Sequence, residues 1–160
     1  MRKVVVNSTP LIALSKVGLL HIFRELYGEI IIPQAVFHEV TAKNDVVNQL
    51  ITENLDWIHI VSAEHNRDRR MYKAKLHDGE VEVMIIAQEI AADLVVIDDG
   101  AARKTADYLG LPLTGTLGVL LRAKERGAIQ RIKPIIVDME SQGIYYSERL
   151  KAVIQRVAGE

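Results

Sequence analysis

Short unbroken apolar runs alternate along this chain with longer stretches whose apolar residues recur at helical spacing. That is the pattern of strands buried on both faces and joined by amphipathic helices. Residues 3–6, β-branched from Val4 onward, predict the first strand. Asn7-Ser8-Thr9-Pro10 follows, where Ser8 or Thr9 can cap a helix and Pro10 suits its first turn. Leu11, Ile12 and Leu14, then Leu19, Leu20, Phe23 and Leu26, supply apolar faces interrupted at Gly18. Residues 30–32 predict a second strand, and Pro33 opens a helix carrying Val36, Phe37 and Val40. A further helix is expected over 45–54 and a third strand over 57–61.

The second half repeats the alternation. Residues 64–75 are highly charged and predict an exposed helix or loop. Asp78 is a candidate N-cap for a helix that is apolar almost all round, from Val81 to Ile90, and is therefore expected to be buried. Residues 94–97 predict a fourth strand ending in Asp98-Asp99-Gly100, and 101–109 a helix stopped by Gly110. Residues 111–114 predict a fifth strand, after which Thr116 caps a helix over 117–126. Residues 133–160 read as two helices, with Ser147 capping the last. The whole pattern predicts an α/β fold, a three-layer α/β/α sandwich around a mainly parallel sheet of about five strands.

Length and composition narrow this picture. The 160 residues suffice for one core, so 1–160 is expected to be a single domain, with helices near 133–158 packed on that core or on a partner. Apolar residues at 49% argue against disorder. A net charge of −1 excludes a strongly basic nucleic-acid coat but leaves room for local phosphate-contacting patches. The absence of cysteine removes disulfides, zinc-thiolate sites and cysteine nucleophiles, and fits a reducing, cytoplasmic setting. No signal-peptide pattern and no membrane-spanning run is seen, so no membrane association is expected.

The candidate chemistry lies at the strand ends, where open α/β sheets gather their ligands. Asn7 ends the first strand, and Asp98 and Asp99 end the fourth. Glu80 lies in the first turn of the helix before that strand, and Glu39 one to two turns into the helix after the second. Two carboxylates roughly 5 Å apart repel by about 3 kcal/mol at an effective dielectric near 20. A cluster of this kind takes up protons or a divalent cation, and oxygen ligands without cysteine suit Mg²⁺ or Mn²⁺. A cation so held could activate water and stabilise charge on a phosphate, which points to phosphodiester hydrolysis.

The local wording carries a resemblance. Val4-Val5-Val6-Asn7-Ser8-Thr9-Pro10-Leu11-Ile12-Ala13-Leu14 resembles the opening of PIN domains, in particular of a PIN-like prokaryotic subfamily related to VapC-type toxins. Ile32-Pro33-Gln34-Ala35-Val36-Phe37-His38-Glu39-Val40, Asp78-Gly79-Glu80-Val81-Glu82 and Val96-Ile97-Asp98-Asp99-Gly100-Ala101-Ala102-Arg103 resemble its second, third and fourth motifs. Leu113-Thr114-Gly115-Thr116-Leu117-Gly118-Val119-Leu120 is similar to a fifth. The resemblance implies a parallel sheet between helices and a Mg²⁺- or Mn²⁺-dependent endoribonuclease, often the toxin of a type II toxin–antitoxin pair. It assigns Glu39, Glu80 and Asp98 as the catalytic acids, with Asp99 sharing or replacing Asp98 at the metal. Where PIN domains usually have Asp as the first acid, this chain has Asn7, a neutral ligand. The expected partners are RNA, a small antitoxin protein and a second copy in a homodimer.

Blander readings stand beside these. Asn7 could hydrogen-bond its turn, Glu39 could be a solvated helix residue, and Glu80 could favour a helix N-terminus by charge. One of Asp98 and Asp99 could cap the following helix. Glu82 is expected to be exposed or paired. Arg103 and Lys104 are candidate RNA contacts. Arg67, Arg69, Arg70, Lys73 and Lys75 are a solvated face or a phosphate track. The five histidines show no metal-ligand spacing and read as structural or surface residues. The alternative function is a catalytically weakened PIN-like module that binds RNA or protein without cutting.

Overall fold

A computed structural model describes residues 2–63 and 76–160. The charged stretch 64–75, with its run of arginines and lysines, lies outside the described residues.

Strand β1 (Val4–Val6) is fully buried, as its unbroken β-branched run requires, and is central to the sheet. Its neighbours are β2 (Ile30–Pro33) and β4 (Leu94–Val96), with β3 (Ile58–Val61) beyond β2 and β5 (Leu113–Thr114) beyond β4. The order is therefore β3-β2-β1-β4-β5, and every pairing is parallel. Val5 sets the central register, opposite Ile31 on one side and Val95 on the other.

The connections are helical, as parallel neighbours demand. Between β1 and β2 lie α1 (Ser8–Lys16) and α2 (His21–Tyr27). Between β2 and β3 lie α3 (Gln34–Val40) and α4 (Val46–Thr52). Helix α5 (Asp78–Glu89) precedes β4, α6 (Gly100–Tyr108) links β4 to β5, and α7 (Thr116–Glu125) follows. The chain then forms α8 (Lys133–Ser141) and α9 (Glu148–Ala158). Helix α5 packs on β1 and β2, α2 packs on β2 and on α7, and α9 packs on α7. The near-continuous apolarity of α5 matches its place, because Val81, Val83, Met84, Ile86 and Ala87 are fully buried. No helix among the described residues is long and apolar enough to cross a membrane.

Several caps differ from expectation. Asn7, not Ser8 or Thr9, occupies the N-cap of α1, and His77, not Asp78, that of α5. Gly115 is the N-cap of α7, with Thr116 inside the first turn. In each case the chain becomes helical one residue earlier, since Ncap is set by where the backbone turns rather than by which side chain could serve. Asp45, Asp99 and Ser147 do cap, accepting from Asn48, Ala102 and Leu150 N–H groups.

Chain order reverses direction across the sheet between β1 and β4. Strands β2 and β3 extend one way from β1, and β4 and β5 the other. The crevice beyond the carboxyl ends of β1 and β4 is the switch point at which such sheets bind ligands. Asn7 and Asp98 follow those two strand ends, and the Asn7 backbone N–H donates to the Val96 carbonyl at 3.0 Å.

Candidate active site

Asn7 leaves β1 in an extended conformation, φ −81° and ψ 170°, the usual backbone of an N-cap residue. It makes no side-chain cap hydrogen bond. It is only 3% exposed, and its Oδ1 has no hydrogen-bond partner among the described residues. A buried acceptor left without a donor costs about 1–3 kcal/mol, so the turn-stabilising reading of Asn7 does not account for it. Something outside the described side chains has to satisfy that oxygen.

Gly79 shows what lies next to it. A Cβ on this buried glycine would stand 3.2 Å from Glu39 Oε2, 3.3 Å from Val36 Cγ2 and 3.9 Å from Asn7 Oδ1. The first turn of α5 thus passes so close to α3 that a larger residue would press on Glu39 Oε2 and Val36, while Asn7 Oδ1 would lie at ordinary contact distance. The motif Asp78-Gly79-Glu80 held this information, but spacing alone gives Gly79 no role. Glu39 itself is exposed on α3.

Glu80 follows on the same turn and is 6% exposed. Its Oε1 accepts the His77 backbone N–H at 3.0 Å, across the first turn of α5. Its carboxyl is held above the usual carboxylate range, chiefly because burial disfavours the charge. The charges of Asp99 and Glu39 push the same way, while the His77 N–H and side chain oppose them. Glu80 therefore senses both acids across the crevice. Glu82, one position beyond the motif core, accepts the Ala35 N–H at 3.3 Å and so serves the first turn of α3.

The two aspartates after β4 are divided. Asp98, half-buried, uses both oxygens on α7: Oδ1 accepts the Thr116 N–H at 2.8 Å and Oδ2 the Thr116 hydroxyl at 2.6 Å. The expected Thr116 cap is inverted, for Thr116 donates and the carboxylate across the β5 end does the capping. Gly115 makes room, since a Cβ there would lie 2.7 Å from Asp98 Oδ1 and 3.1 Å from Arg103 Nη1. Asp99, exposed, accepts the Ala102 N–H at 2.9 Å as N-cap of α6. Both aspartates therefore terminate helices, and it is the charge of Asp99 that reaches Glu80.

Arg103 and Lys104 lie on α6. Arg103 is half-buried with Nη1 donating to the Ile97 carbonyl at 3.0 Å, whereas Lys104 is exposed. Tyr146, which the sequence did not single out, places a buried, unpartnered hydroxyl in this neighbourhood. Burial first and the Asp98 charge second push that phenol up to about 12. The Thr116 side chain, which donates its hydroxyl to Asp98, opposes the shift.

Asn7 and Glu39 thus both approach Gly79, Glu80 feels both Glu39 and Asp99, and Asp98 stands with Thr116 and Arg103. Among the described residues no group of three or more histidine or acidic side chains is drawn together tightly enough to hold a metal ion. The donor types nonetheless fit a hard divalent cation. One neutral amide oxygen is orphaned near the same glycine as a carboxylate, and the adjoining Glu80 carboxyl is pushed toward its neutral form by burial first and like charges second. A family model described as a PIN domain matches residues 3–160. No curated protein matches the chain.

Proposed function

The chain belongs to the PIN-domain family, a family of nucleases, and from that premise we propose that it is a metal-dependent endoribonuclease. The observation that carries the proposal is the orphaned Asn7 Oδ1, which with Glu39 Oε2 approaches the buried Gly79 that precedes the buried, charge-opposed Glu80 carboxyl. These oxygens, with Asp99, would hold Mg²⁺ or Mn²⁺, and Asp98 joins them from its seat on Thr116. A divalent ion bound there supplies water activation and charge neutralisation at a phosphodiester. The protein's own share is positional. Thr116 fixes the Asp98 carboxylate, and the Gly79 backbone leaves space between Asn7 and Glu39. Arg103 and Lys104 on α6 would face the phosphates of RNA.

Purified protein incubated with labelled single-stranded RNA tests this directly. Cleavage is expected with Mn²⁺, absent with EDTA, and absent in Glu80→Gln and Asp98→Ala. Undiminished cleavage in EDTA, or by Asp98→Ala, refutes the assignment. The neutrality of Asn7 favours a second reading, a module that binds RNA or protein without cutting it. A melting temperature indifferent to millimolar Mn²⁺ would select that reading, because a ligand specific to the native state must stabilise it.

The toxin role, a small antitoxin partner, a homodimer and a cytoplasmic site of action extend the proposal, supported by the resemblance of the five motifs to toxin relatives. Growth arrest on expression, relieved by Glu80→Gln, is the expected outcome. Unimpeded growth with the active nuclease would count against a toxin.

A further inference from the structure

Two cavities lie along the β5 edge of the sheet. One, of about 250 Å³, opens beside Asp98 and has Arg103, Tyr146, Leu150 and Ile154 among its walls. The other, of about 230 Å³, is lined by Arg2, Tyr27 and Arg122 among others. Thr114 and Gly118 belong to both, so the cavities meet where α7 crosses β5. The crossing is so close that a Cβ on Gly118 would collide with the Thr114 hydroxyl. Gly118 and the Thr114 side chain thus form the rim that the two recesses share, and β5 is an edge strand.

The first recess is two-sided in character. Leu117, Leu150 and Ile154 form an aliphatic side, while Arg103 and Thr114 are polar. Arg103 is held in place through one N–H to the Ile97 carbonyl, and a guanidinium carries five such donors. The volume falls below the roughly 300–1,000 Å³ of pockets that enclose drug-sized ligands. A single nucleobase with its phosphate outside has the matching shape and polarity: flat apolar faces and one anionic end. The second recess offers more cationic charge. Arg2 places its guanidinium over the Tyr27 ring, 5.7 Å from the centroid, and Arg122 lies on α7 paired with Glu125 at 3.3 Å. The acids lining the two recesses are Asp98 and Glu125.

We propose that the two recesses form one groove, a single-stranded RNA subsite. One unstacked base docks beside Asp98 against Leu150 and Ile154, and the strand crosses the Thr114–Gly118 rim toward Arg2 and Arg122. The inference rests on the ribonuclease reading for its choice of ligand. A duplex is excluded as the occupant because its bases are stacked inward and cannot enter a recess.

The test is fluorescence anisotropy of a labelled short oligouridine in EDTA, where binding is read without cleavage. Leu150 is 41% exposed, so Leu150→Glu should fold, as circular dichroism will check, with Leu150→Ala as the second variant. Leu150→Glu is expected to weaken binding about tenfold, the scale of one lost base contact. Arg122→Ala should lower the slope of log affinity against log salt by about one. Val46→Glu, on exposed α4 surface, should change neither. Wild-type affinity in folded Leu150 variants, or equal affinity for a duplex, overturns the groove. Metal-dependent cleavage by wild-type protein alongside that result would leave the nuclease reading standing. Weakened binding in Leu150→Glu from a protein that no metal makes cut would uphold the groove and remove the nuclease.

Discussion

Two buried glutamates lie at opposite ends of this chain's logic. Glu80, in the first turn of α5, has a single described hydrogen bond and two acidic neighbours, and its carboxyl is raised above the ordinary range by burial, Asp99 and Glu39. Glu160, just beyond α9, has a side chain only 4% exposed, yet its carboxyl is lowered to about 2. Burial alone would raise it. It is outweighed by the backbone N–H groups of Ile132 and Lys133, at 2.8 and 3.0 Å, and by the Lys124 ammonium at 2.9 Å. Glu160 caps α8 from a distance and clasps α9 against α7. Both carboxyls are withdrawn from solvent; the donors differ. A carboxylate given donors is structural, and one surrounded by acids is held ready for a cation.

The sharpest break in this comparison is Glu80→Gln. If Glu80 is a ligand, metal affinity falls by about a hundredfold, equivalent to about 2.8 kcal/mol, read as lost Mn²⁺ stabilisation in thermal melts. The metal-free variant should melt higher than wild type, because a neutral amide escapes repulsion by Asp99 and Glu39. A lower melting temperature and an intact metal response would erase the distinction between the two glutamates.

Glu160→Gln should do the reverse, destabilising by about 2 kcal/mol in urea titrations, the scale of hydrogen bonds to a charged group. Its folded pKa is depressed, so its stabilisation is fully present above the ordinary carboxyl pKa of 4.5 and disappears as pH falls toward about 2. The difference between wild type and Glu160→Gln should therefore be constant near neutrality and shrink between those values. A pH-independent difference would show that the carboxylate charge does not act there.

Thr116→Val, nearly isosteric at a fully buried position, withdraws the hydroxyl from Asp98 Oδ2 and should cost about 1 kcal/mol. It should lower cleavage more than that stability loss explains if Thr116 positions Asp98. The smallest effect belongs to Gly79→Ala. The added Cβ must displace Glu39 Oε2 by a few tenths of an ångström. Folding should change by less than about 1 kcal/mol while metal affinity drops. An unchanged metal titration would mean that Asn7 and Glu39 do not act as a pair.

Much of this was legible one residue at a time. The β-branched runs at 3–6 and 94–97 became parallel central strands because continuous apolarity suits only a strand covered on both faces. The caps at Asp99 and Ser147 could be read because an acceptor there meets N–H groups two or three residues on. Asn7, Glu39, Glu80, Asp98 and Asp99 could be picked out because each sits at or just after a strand end or in a helix turn next to one.

Their roles were another matter. Sequence spacing makes Asp98 and Asp99 near-equivalents, and only the packing of α7 against the β4 end commits Asp98 to Thr116 while Asp99 faces Glu80. Gly79 and Gly115 have their places through contacts with Glu39 and Asp98, 40 and 17 residues away, invisible to any local pattern. The chain by itself determined the alternation of strands and helices and the chemistry available at their ends, because periodicity and residue type are local properties. The tertiary structure alone decided which carboxylates have donors and which have only each other, because desolvation and charge act through space rather than along the backbone.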